Sequence, residues 1–300
     1  MSESNGRRLS SVPHKFRHRL EFALFNCLKR WGVNASAKTL RRGVILLDFL
    51  LYHVLSICRR IVAINLELAY PDLSAKDRNK IARGNYRWFA RFCMDVLHMD
   101  AWRGQTSEVT KFHNLEILDA ALTEKKGVLL VSGHFGNWEM IPPALAALEY
   151  PLTNELQNTA RANFGVETID KGKKATLQMA RALAANKIIA MLIDQNDNKS
   201  DLFVNFFAKL ASSSKGTAEF HLLRKSPVVL VTCPYVGDHL EITFQHITFE
   251  LSGEQEKDTL EISQKITSAL ENVIRKYPEQ YFWMHRRWRA RPTEDSERIY

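Results

Sequence analysis

Cysteine is scarce in this chain and never arranged for joint work. The four present, Cys27, Cys58, Cys93 and Cys233, lie far apart with no CxxC pair. That excludes a zinc ribbon or a disulfide framework and suits a reducing compartment. There is no P-loop, no serine nucleophile elbow and no HExxH, so the chemistry to expect is direct attack by a substrate's own hydroxyl. No repeat or low-complexity linker divides the chain, and the opening MSESNGRRLSSVPHKFRHRL is too polar for a cleavable secretory signal. At 45% hydrophobic and 25% charged residues over a length of 300, the collagenous and disordered classes are excluded. One or two domains with a substantial core are expected.

The charge is unevenly spread. Residues 1–60 carry twelve Lys/Arg against three acids (Glu3, Glu21, Asp48), which is the whole formal excess of +9; the remaining 240 residues hold thirty of each sign. Arg41-Arg42 and Arg59-Arg60 bracket Val44 to Ile57 (VILLDFLLYHVLSI), apolar on nearly every helical face but fourteen residues long, with Asp48 near its middle. A spanning helix needs about twenty apolar residues, and a carboxylate there would be costly. A helix lying in the lipid interface, arginines on anionic headgroups, fits better. The stretch Leu20 to Leu28 repeats the pattern behind Lys15, Arg17 and Arg19. A buried helix packed on the core remains the plain alternative. A nucleic-acid arm would be basic and polar, without leucines between its arginines. The expected division is a basic amphipathic membrane-associating segment over 1–60 and an α/β domain over 61–300.

From Ser74 the pattern is α/β. Ser74 with Asp77 predicts a capped helix to about Met94. Residues 127–132 (GVLLVS) read as a buried strand, 141–149 as a helix with Pro142 and Pro143 in its first turn, 152–163 as a helix and 165–169 as a strand. Further helices are expected at 174–185, 214–224 and 255–276, and strands at 188–193, 203–207, 227–232 and 240–244. The alternation implies a mostly parallel sheet covered on both faces.

Ligands gather beyond the carboxyl ends of such strands, and there the chain places Ser132-Gly-His134-Phe-Gly-Asn-Trp-Glu139. Histidine accepts protons near neutral pH, and a carboxylate within reach can hold one tautomer and favour the imidazolium. The plain alternative makes His134 a strand-end cap and Glu139 a first-turn helix carboxylate.

SGHFGNWE resembles the H-x4-D/E motif of the bacterial lipid A biosynthesis acyltransferases, the late lauroyl/myristoyl transferase family. Four further segments resemble that family in order: Arg60 to Pro71 (RIVAINLELAYP), Leu192-Ile-Asp194-Gln195-Asn196, Val204 to Phe207 with Ala211 to Ala218, and Pro278 to Trp288 (PEQYFWMHRRW). The resemblance implies a glycerolipid-acyltransferase-like α/β fold. It also implies transfer of an acyl chain from acyl carrier protein to a hydroxyl of a Kdo-bearing lipid A precursor, at the cytoplasmic face of the inner membrane, without metal or small cofactor. His134 would be the base and Glu139 its orienting partner. Asp194 would bind substrate or anchor the site loop, unless it only caps a turn. Arg286 and Arg287 would meet acceptor phosphates, unless they are a solvated tail. Trp138, Phe206 and Phe207 read as core or as acyl-chain wall.

One departure stands out. The family's next strand, ending near an Arg-Pro, is not visible, and Leu148 to Asn154 is expected to join two helices directly, with Tyr150 in the arginine's place. Tyrosine cannot supply that charge, leaving Arg161 and Lys173 as nearby cations and the oxyanion donor unassigned. Two rivals follow: an acyltransferase acting on another membrane glycolipid, and a non-catalytic membrane scaffold that lost the strand.

Overall fold

The computed structural model describes residues 26–154, 167–168, 175–293 and 298–300. Arg161, Lys173 and most of the basic stretch before Leu28 lie outside the described residues.

Residues 26–34 are helical and lead to α1 (Ala37–Phe49), whose N-cap Ser36 accepts from Thr39 N–H. A π-helical turn over Leu50–Val54 continues α1, and the chain breaks at Ser56 and Cys58, both at positive φ, before α2 (Arg59–Ala69). Then comes α3 (Ala75–His98), with Ser74 Oγ accepting from Asp77 N–H at 3.1 Å and donating to Asp77 Oδ2 at 2.6 Å. The predicted capped start is thus present, and the helix runs one turn longer than expected.

After it come β1 (Thr110–His113), α4 (Glu116–Thr123), β2 (Val128–Ser132), α5 (Ile141–Ala147), β3 (Leu152–Asn154), β4 (Glu167–Thr168), α6 (Ala175–Ala184) and β5 (Ile188–Leu192). A separate antiparallel hairpin joins β6 (Phe203–Phe206) to β7 (Lys209–Ser212). The chain continues through α7 (Gly216–Arg224), β8 (Val228–Thr232), β9 (Tyr235–Val236), β10 (His239–Ile247) and α8 (Gln255–Lys276). The main sheet has the order β1-β10-β8-β2-β5-β3-β4, with β9 on β10. Strands β8, β2, β5, β3 and β4 run parallel, and β10 with β1 runs the other way.

Strand β2 is buried throughout, as a central parallel strand must be. Alternate side chains feed two cores. Leu129 and Val131 pack with Ile262, Ile266 and Leu270 of α8; Val128 and Leu130 pack with the α3, α4 and α5 side.

Two expectations are corrected. Residues 152–154 are not the start of a helix: they form β3, paired in parallel with β5 through Leu152↔Ile188 and Asn154↔Ala190. A strand is present here, and its three described residues are too few to show a pattern of their own. Tyr150 precedes it, at the end of the sheet opposite the strand carboxyl ends, and its hydroxyl donates to Asp119. It therefore does not stand in for a site arginine, and the lost strand no longer motivates a scaffold.

The N-terminal segment is packed on the domain along part of its surface. Asp48 is buried and pairs with Arg83 of α3 at 3.2 Å, while Ile45, Leu46 and Phe49 on the same helix are exposed. No helix among the described residues is long and apolar enough to cross a membrane.

Candidate active site

Parallel pairing of β2 with β5 in the register Ser132↔Leu192 carries the two strands out together, so the residues two beyond each, His134 and Asp194, meet. The Asp194 carboxylate, 4% exposed, accepts twice from His134: from the backbone N–H at 2.9 Å (Oδ2) and from Nδ1 at 2.8 Å (Oδ1). Burial pushes the Asp194 carboxyl up, but the charge and hydrogen bonds of His134, helped by Arg287, outweigh it and hold it below the usual carboxylate range. An ionised carboxylate can only accept, so Nδ1 carries the proton and the lone pair of the neutral ring is on Nε2. Gln195 Nε2 stands 3.1 Å from that atom.

The orienting position that the spacing suggested for Glu139 is thus held by Asp194. Glu139 accepts from Trp138 Nε1 at 3.2 Å. The Trp138 ring meets the imidazole edge-on at 5.1 Å and stacks on Phe92 at 4.1 Å. From Trp138 and Glu139 an apolar groove of about 1080 Å³ runs between residues 26–34, α1 and α3, past Phe92, Val96, Leu46 and Leu28. A Cβ at Gly43 would come within 2.8 Å of Met94 Sδ, so glycine there permits the close helix approach. Trp138 therefore walls the groove, whereas Phe206 and Phe207 are buried in the core beside Trp283 and Trp288.

The loop bearing His134 is tied down from several directions. Gly136 N–H donates to Gln280 O, Asn137 N–H to Cys233 O and Phe282 N–H to His134 O. The Gln280 side chain, itself buried, accepts from Tyr235 N–H and donates to Tyr235 O. Asn85 of α3 donates to the carbonyls of Glu279 and Tyr281, and Asn65 of α2 to those of Trp283 and His285. The PEQYFWMHRRW segment works first as backbone support for the site. Gly136 has φ +61°, and a Cβ there would fall 2.1 Å from Cys233 O. Gly136→Ala is expected to cost at least about 2 kcal/mol, read as a lower denaturant midpoint; an unchanged midpoint would refute the close approach.

Arg287 is 2% exposed and bonds Ser212 O and Ser213 Oγ. It is committed inside the protein, which corrects its assignment to an acceptor phosphate; beside Asp194 it supplies charge from within. Arg286 is exposed. His285 accepts from Asn196 N–H through Nε2 at 3.0 Å. Burial pushes its pKa below the ordinary histidine value, in keeping with a neutral ring that accepts there. Among the described residues no group of three or more His, Cys, Asp or Glu converges as a metal site would.

The family model described as bacterial lipid A biosynthesis acyltransferase matches residues 47–290. The chain is 26% identical over 245 residues to the lipid A biosynthesis palmitoleoyltransferase of Escherichia coli K12, covering 77% of this chain and 79% of that protein. It is 27% identical over 249 residues to the lipid A biosynthesis lauroyltransferase of the same organism, covering 78% and 79%. A phosphatidylinositol mannoside acyltransferase of Mycolicibacterium smegmatis matches at 21% over 225 residues, covering 70% and 73%.

Proposed function

This chain belongs to the bacterial lipid A biosynthesis acyltransferase family and is an acyltransferase, and from that premise we propose that it moves a fatty acyl chain from acyl carrier protein to a hydroxyl of a Kdo-bearing lipid A precursor. One observation carries the reading: a histidine oriented by a buried carboxylate stands beside the tryptophan that opens an apolar groove.

The neutral ring, with Nδ1–H on Asp194, takes the proton of the acceptor hydroxyl at Nε2 as the oxygen attacks the thioester carbonyl. The tetrahedral intermediate collapses with loss of the carrier's thiolate, which recovers the proton from His134. Glu139 at the groove rim acts as a second carboxylate favouring the imidazolium. Each methylene buried in the groove contributes about 0.8 kcal/mol, binding far from the reacting atoms that can be used to orient them. Exposed Arg286 meets the acceptor's anionic groups.

The proposed location is supported by the N-terminal segment, read as a membrane-associating element over 1–60 on an acyltransferase domain over 61–300. Ile45, Phe49, Val54 and Leu55 are all more than half exposed, with Lys38, Arg41, Arg59 and Arg60 exposed among them. Apolar side chains ringed by cations suit an anionic bilayer surface, here the cytoplasmic face of the inner membrane. Ile45→Glu with Phe49→Glu and Leu55→Glu should abolish co-sedimentation with anionic phospholipid vesicles. If binding persists, the contact lies elsewhere.

The reaction is tested with the full chain, acyl carrier protein loaded with several chain lengths and the lipid A precursor. The expected product carries the mass of one added acyl group. A folded protein that transfers none of them contradicts the reading. A phosphatidylinositol mannoside acceptor, prompted by the mycobacterial relative, belongs in the same assay; transfer to it alone would move the acceptor assignment.

A further inference from the structure

The acyl-transfer step develops negative charge on the thioester oxygen, and Tyr150, before β3, is at the other end of the sheet from His134. Among the described residues, Gln195 stands against His134 itself. Gln195 follows Asp194 directly, and its amide nitrogen lies 3.1 Å from His134 Nε2. With the imidazole proton on Nδ1, that contact is an amide N–H donated to the lone pair. A base needs this lone pair for the hydroxyl it deprotonates, so Gln195 occupies the place of the incoming acceptor.

The backbone of the tripeptide is pinned on both sides. Asp194 holds the loop of His134. Asn196 donates its N–H to His285 and accepts from Ala290 N–H through Oδ1 at 2.8 Å. The Gln195 side chain, by contrast, is exposed. Rotation about its own torsions therefore moves the amide by a few ångströms without disturbing the dyad. A hydroxyl bound at Nε2 displaces the amide to the flank of the carbon it attacks, and the carbonyl oxygen is one bond from that carbon.

We propose that Gln195 is a catalytic residue with two positions: a stand-in for the acceptor hydroxyl in the resting enzyme, and a hydrogen-bond donor to the thioester oxyanion during transfer. The inference rests on the acyl-transfer reading above. In the step, the hydroxyl proton passes to His134 Nε2, the new C–O bond forms, and the carbonyl π pair moves onto the oxygen that Gln195 donates to. Return of that pair breaks the C–S bond, and the thiolate takes the proton from His134. As a neutral donor, the amide stabilises the oxyanion without placing a cation against the base.

Three variants test this, with acyl carrier protein thioester and the Kdo-bearing lipid A precursor both saturating. Gln195→Ala and Gln195→Glu, which lack the N–H, should each lower kcat by roughly 100-fold or more with KM for the thioester little changed. Gln195→His, which keeps a donor, should stay within about tenfold of wild type, well short of the loss expected from removing the donor. In the free enzyme the His134 ring should titrate at higher pH in Gln195→Ala than in wild type, followed by NMR, because the donated N–H favours the neutral ring. A Gln195→Ala enzyme as fast as wild type overturns the proposal. So does a loss in all three variants with the His134 titration unmoved, which marks a structural role. Wild type active and His134→Ala inactive keeps the acyl-transfer reading whatever Gln195 does; an inactive wild type removes both.

Discussion

Replacing His134 by alanine is expected to reduce acyl transfer by at least about a thousandfold, within the range a lost general base commands. A hydroxyl is a weak nucleophile at neutral pH, and the proton acceptor that Asp194 aligns is the imidazole. The variant should fold. His134 sits beyond the end of β2, and the backbone bonds that fix its loop, His134 N–H to Asp194 and Phe282 N–H to His134 O, do not need its ring. Circular dichroism should stay native-like, with a lowered melting temperature because buried Asp194 loses its ring partner, while product formation disappears. Unchanged transfer in this variant would end the mechanism.

Asp194→Asn is expected to be nearly as severe, roughly a 1,000- to 10,000-fold fall in kcat, as for other carboxylates that set a histidine tautomer. The asparagine amide is nearly the same size, but it can turn its NH2 toward Nδ1. The ring then carries its proton on Nε2, where a base must be empty. The pH dependence separates the roles. The Asp194 carboxyl is held below its ordinary value by His134 and Arg287 against the upward push of burial, so its favourable contribution is present above about pH 4 and is lost only as pH falls through the lowered value. In wild type it is therefore fully ionised across the neutral range, and the acid limb of activity follows the imidazole. The variant should be slow at every pH; a rate matching wild type in the neutral range would refute the tautomer role.

Much of the chain was readable in advance because local chemistry and final structure agree. The Ser74–Asp77 cap, the apolar run of β2 and the single buried face of α8 each depend on neighbours within a few residues. The partnership of His134 with Asp194 does not. It arises from the register of two parallel strands sixty residues apart, and Glu139, five residues away in sequence, drew attention from it. A usable signal was present: two short apolar runs, VLLVS and IIAML, each followed two residues on by an ionisable side chain. Two buried strands aligned at their ends would bring those side chains together. The three described residues of β3 are too few for periodicity, and the ladders to β5 and β4 reveal them. The arginine pair failed for a different reason. Arg286 and Arg287 are adjacent and chemically identical, yet one is exposed and the other sealed against Ser212 and Ser213.

The ties around the His134 loop have a kinetic consequence. Asn85 bonds the carbonyl of Tyr281, 196 residues further along, and Asn65 that of Trp283, 218 residues further. Closing such long loops is slow compared with forming helices or adjacent strand pairs. During refolding, helical signal and sheet burial should therefore recover before catalysis does. The last event would be docking of the 278–288 segment, and only after it would the histidine loop hold a defined shape. For this chain, regained turnover is a stricter measure of complete folding than regained secondary structure.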